Sequence, residues 1–154
     1  MSYVTPRKPN NGTISAEEIK AAYLRAFNVA GEEWYMRLLR LFLDIRSTFM
    51  FADMTYMPVD MELLEMILDA DQGDKEEYEA EFYDCDDFAY RLMGILHCDR
   101  IAAAWPVYNT WVVIPEGGHA ILSFYYQCQV YGIEPQTDEI FLIPAGWTLI
   151  KMDG

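Results

Sequence analysis

An α+β domain is predicted by the order of patterns along this chain. Apolar residues recur at helical spacing up to about Arg100. After it come short β-branched and aromatic runs, "VYNTWVVIP", "HAILSFYYQ", "QVYGIEP", "DEIFLIP" and "WTLIKMD", separated by Gly and Pro turns. Helices first and a meander of strands second is the pattern of an antiparallel sheet with helices on it.

The elements follow in order. Residues 1–13, with two prolines and "NNG", read as a loose arm, and residues 14–154 as one domain. Ser15 with Glu18 forms a capping-box pattern opening a helix to about Val29, with Ile19, Tyr23, Ala26 and Phe27 on one face. In "GEEWYMRLLRLFLDIRS" the polar stripe Glu33, Arg37, Arg40, Asp44 runs beside the apolar stripe Trp34, Leu38, Leu41, Ile45, which is a second helix. Pro58 ends the break after it, and Asp60 caps a short helix, "DMELLEMILDA". The acidic stretch "DADQGDKEEYEAE" reads as a solvated turn. Counted from Asp69, the fifth, sixth and twelfth positions of a calcium loop hold Gly73, Asp74 and Ala80, which does not fit an EF-hand.

At 154 residues, 53% hydrophobic and 15% aromatic, the chain suits one globular core and is not of disordered composition. A net charge of -14 excludes a nucleic-acid-binding face, because nothing neutralises phosphates; it suits solubility and a basic partner. The first residues carry no apolar signal core, and no run approaches the roughly 18 apolar residues of a membrane span. Three cysteines without CxxC spacing point to reduced thiols and a cytoplasmic setting.

The stretch "DCDDFAYRLMG" carries the candidate chemistry. Asp84 is a natural N-cap, Asp87 stands at the third helical position, and Asp87 and Arg91 are spaced to pair. Cys85 falls in the first turn and shares the apolar face of Phe88, Ala89 and Leu92. The helix dipole favours its thiolate, the aspartates oppose it, and the balance calls for a cationic partner. Of two histidines, His97 lies roughly 18 Å away along the helix, which is too far. His119 opens a strand after Gly117 and Gly118, and Glu134 ends the next strand, so a hairpin brings them together. Thiol, imidazole and carboxylate in that order make a nucleophile, a base and an orienting acid.

"DCDDFA" opening a helix, "GHA" on a strand and an acid one strand later resemble the bacterial transglutaminase-like cysteine proteinases of the papain-like superfamily, over roughly Tyr83 to Pro144. The resemblance implies a papain/transglutaminase-like fold. It also implies thiol-dependent hydrolysis of a peptide or glutamine amide rather than transfer, a peptide or protein substrate, no cofactor, and a small phage or bacterial member of the family. Cys85 would be the nucleophile, His119 the base and Glu134 the orienting acid, where the family more often has Asp or Asn. Gln136 is a candidate helper and Tyr56 a second oxyanion donor beside the Cys85 amide. Trp111 and Trp147 are candidate walls of a substrate groove. Two other readings stand beside this one: an inert acidic binding or inhibitor protein on the same fold, and a metal site of Cys85, His119 and Glu134.

Overall fold

The computed structural model describes residues 12–29, 48–80 and 83–154. The expected helix between Glu33 and Ile45, and residues 1–11 of the expected arm, lie outside the described residues.

Helix α1 (Ala16–Ala26) begins where expected, with the Ser15 hydroxyl accepting from the Glu18 amide at 3.2 Å. It stops at Ala26, before the expected Val29, because Asn28–Val29 turn extended as strand β2. Strand β1 (Ile14–Ser15) pairs antiparallel with β4 (Thr55–Tyr56). Helix α2 (Met61–Ala70) is capped by Asp60, whose carboxylate accepts from Leu63 N. Helix α3 (Cys85–Cys98) opens with a capping box in which the Asp87 carboxylate accepts from Asp84 N at 3.2 Å.

Strands β5 (Val107–Ile114), β6 (Gly117–Tyr126), β7 (Gln129–Glu134) and β8 (Glu139–Leu142) form the expected antiparallel run. The last strand, β9 (Thr148–Asp153), does not continue that run. It returns to β5, pairs antiparallel with it, and gives the order β2-β9-β5-β6-β7-β8. On its other side β9 pairs parallel with β2 and with β3 (Phe49–Met50).

This corrects the layout expected of a papain/transglutaminase-like domain, N-terminal helices followed by a C-terminal antiparallel sheet packed on the Cys85 helix. The sheet is mixed, dominates the described residues, and recruits strands from the N-terminal half. Those strands are two residues long, too short for an alternating pattern to announce them.

Two apolar layers flank the sheet. On one face α1 packs through Ile19, Ala22 and Tyr23 against Tyr108, Val112, Ile121 and Leu149. A buried hydroxyl chain ties it down: Tyr23 Oη to Ser123 Oγ at 2.7 Å, and Ser123 Oγ to Thr110 Oγ1 at 2.5 Å. On the other face α2 and α3 pack through Leu64, Leu68, Ala89, Leu92 and Leu96 against Val107, Ala120, Leu122, Phe124 and Ile133. Alternation along β5 and β6 explains the division, since neighbouring residues point to opposite faces. No helix among the described residues is long and apolar enough to cross a membrane.

Candidate functional site

Three elements meet at a cleft of about 480 Å³, a size common for ligand sites. The start of α3 supplies Cys85 and Asp86, β5 supplies Trp111, Val112 and Val113, and β6 supplies Gly118, His119 and Ala120; Ile150 and Lys151 of β9 close it. Gly117, at φ 135, opens β6 in a conformation that L side chains rarely adopt, and it lets the hairpin turn tightly into the cleft wall.

His119 and Glu134 come together as expected of the hairpin. Nε2 of His119 lies 2.7 Å from Glu134 Oε2, and both side chains are about one-fifth exposed, 19% and 22%. With Glu134 ionised, Nε2 donates, which leaves Nδ1 as the ring nitrogen without that bond. Glu134 is itself held, since its Oε1 accepts from Gln136 N at 3.3 Å. Gln136 thus acts here through its backbone, not the side-chain amide.

Cys85 lines the same cleft, half-buried against the α3 face of the sheet. Its thiol is pushed up from the ordinary value. Burial is the main cause, and the Asp84 and Asp86 carboxylates add to it; the Ala120 and Cys85 amides oppose them. The aspartates oppose the dipole as expected, and burial adds to them, so the helix start alone does not lower the thiol. Alkylation by iodoacetamide is expected to show a midpoint above that of a free thiol. A midpoint near neutrality that vanished in His119→Ala would instead demonstrate a thiolate–imidazolium pair.

Among the described residues, the side chains close enough to share a cation are Asp84, Cys85 and Asp86, not the Cys85, His119 and Glu134 of the alternative metal reading. The aspartates have other work. Asp86 is raised chiefly by a hydrogen bond with Asp84, so the two carboxyls meet each other.

Trp111 lines the cleft, with Tyr90 at a ring distance of 5.8 Å and Lys151 Nζ 4.9 Å from its ring centre. Lys151 is also paired with Asp153 at 2.6 Å. Trp147 packs elsewhere, edge-on to Phe141 at 5.7 Å and against the α1 layer. Tyr56 is buried in that layer too, its hydroxyl accepting from Asp53 N at 3.1 Å. Neither lines the cleft. Lys151 and Tyr90 were not foreseen, because only the return of β9 to β5 puts Lys151 opposite Trp111.

The architecture is thus a mixed sheet between helical layers, with a largely apolar cleft walled by Trp111 beside the β5–β6 hairpin. No family model and no curated protein matches the chain. Solved structures of like fold do. One is titled "PSL1a-E64 complex", with TM-score 0.68 and 15% identity, covering 92% of this chain and 51% of that one. Another is Polyporus squamosus lectin bound to the human-type influenza-binding epitope Neu5Aca2-6Galb1-4GlcNAc, with TM-score 0.62 and 17% identity, covering 88% and 49%. The chain spans about half the length of the chains it matches. At such identities the likeness is one of fold.

These findings overturn the assignment to the transglutaminase-like cysteine proteinases, phage or bacterial. One structure of like fold is of a lectin, and no family model matches the chain. The papain/transglutaminase-like fold and the hydrolase and thiol-protease readings go with it. So does thiol-dependent hydrolysis of a peptide or glutamine amide, and with it the support for a peptide or protein substrate.

Proposed function

We propose that the chain is a binding module whose site is the cleft beside His119, and that its ligand is a neutral carbohydrate presenting an apolar ring face to Trp111. The observation that carries this reading is the cleft itself, apolar over most of its lining and walled by an indole, with few polar groups: Asp86, His119 and Lys151. That composition suits a ligand fixed by area and a small number of hydrogen bonds. Cys85 serves as wall. His119, oriented by Glu134, supplies a hydrogen bond to a ligand hydroxyl. The lectin structure supports a carbohydrate in the broad sense; its own trisaccharide carries the acidic Neu5Ac, so the neutral form rests on the charge of this chain.

Charge supports a neutral ligand. The cleft's cation, Lys151, is already paired with Asp153, and the chain carries a net charge of -14, so an anionic ligand meets repulsion. Of the sequence-based readings, binding sits better with the structures of like fold than catalysis does.

Calorimetric titration with N-acetyllactosamine and with its sialylated form tests this. Saturable binding is expected, tighter for the neutral sugar at low salt. Trp111→Ala is expected to weaken it at least tenfold, about 1.4 kcal/mol. No saturation by either sugar would sink the carbohydrate reading.

A further inference from the structure

The cleft does not end at Trp111. Asp86, which lines it, stands four residues before Tyr90 on α3, so the two share a helix face and Tyr90 continues the rim by about one turn. From β9 comes Lys151, which also lines the cleft, with Asp153 two residues further on the same face of the sheet. Register fixes the direction of this extension. Val112 of β5 pairs with His119, Trp111 with Lys151, and Asn109 with Asp153, so Asp153 lies beyond Trp111 as seen from His119.

Two kinds of group meet there. Tyr90 is 51% exposed, and its ring is inclined at 60° to that of Trp111 at 5.8 Å, so the two form an open angle and not a closed stack. A phenol left half in water beside a ligand-sized cleft offers an apolar face with a hydroxyl at its tip. Lys151 and Asp153, paired at 2.6 Å and both partly exposed, carry no net charge together. The ammonium still has three donors and the carboxylate about four acceptor positions, so each keeps bonds to spare. Its place 4.9 Å from the Trp111 ring centre fixes the ammonium at the junction of the cleft and its extension. Sugar hydroxyls both donate and accept, and pyranose rings have apolar faces. An aromatic wall beside a neutral ion pair matches that chemistry and does not match an anion.

We propose that Tyr90 and the Lys151–Asp153 pair form a second subsite, continuous with the cleft across Trp111, and that the ligand is a neutral oligosaccharide of two or more rings, one held beside His119 and the next against Tyr90. The inference rests on the carbohydrate reading of the cleft and adds the length of the ligand to it.

Titration of isotope-labelled protein with N-acetyllactosamine, N-acetylglucosamine and methyl β-galactoside, followed by NMR, separates the two readings. The disaccharide is expected to bind about tenfold tighter than either single ring, and to shift the amide signals of Tyr90 and Asp153 where the single rings shift those near His119. Tyr90→Ala, at an exposed position, is expected to remove most of that advantage, a loss of about fivefold or more for the disaccharide and a smaller one for the single rings. Tyr90→Phe keeps the ring and is expected to retain most of it. A disaccharide no tighter than its better ring, while the single rings still saturate, would overturn the second subsite and leave the carbohydrate reading standing. So would an advantage that survives Tyr90→Ala, or an equal loss for all three sugars, which would make Tyr90 part of the first subsite. No saturation by any of the three sinks both readings.

Discussion

Arg91→Ala is expected to destabilise the fold by about 3 kcal/mol, because it leaves a buried carboxylate without its cation. Asp71 is 2% exposed and Arg91 32%, and Nη1 of Arg91 reaches both carboxylate oxygens, at 2.9 and 3.2 Å. The partial exposure of Arg91 places the cost at the lower end of the range for a broken buried pair. The melting temperature should fall by roughly 6–12 °C for a chain of this size. The companion variant distinguishes the pair from mere packing: Arg91→Met with Asp71→Asn removes both charges and is expected to recover most of the loss. Gly73 belongs to the same arrangement, since a Cβ there would collide with Arg91 Nη1 and stand 2.7 Å from Asp71 Oδ2.

Phe124→Ala is expected to cost about 3–5 kcal/mol, the range for truncating a buried aromatic ring. Phe124 is fully buried in the layer between α3 and the sheet, opposite Val107 on β5, and stacks on Tyr131 of β7 at 5.6 Å and 20°. The ring bridges three strands, so the cavity cannot close by moving one of them. Leu142→Ala, at the exposed edge strand and 52% accessible, is expected to stay within about 0.5 kcal/mol. Urea denaturation of the two variants reads the difference directly.

Most long elements were legible because their signals are local. Ser15, Asp60 and Asp84 begin helices as their side chains require, and the β-branched runs after Arg100 became strands. The hairpin geometry that joins His119 to Glu134 was legible too, since one turn separates their strands. What escaped depends on distant partners. Arg91 had a ready partner four residues back in Asp87, but Asp87 is consumed by the helix cap. Asp71, nearly sealed from water, gains more from the guanidinium. Trp147 looked as good a cleft wall as Trp111; only the place of β9 beside β5 separates them. At Cys85 the opposing aspartates and the apolar face were legible; that burial outweighs both the dipole and the aspartates was not.

The place of β9 also has a temporal meaning. The strand that comes last among the described elements lies in the interior of the sheet, and both β2 and β3 depend on it for their pairing. During synthesis these early segments emerge with no ladder to join, while β5 to β8 can zip up hairpin by hairpin. Assembly must then wait for a contact that spans most of the chain, which is a costly loop to close and a slow one. Until it closes, β5 presents an open edge, the kind that invites association with other chains.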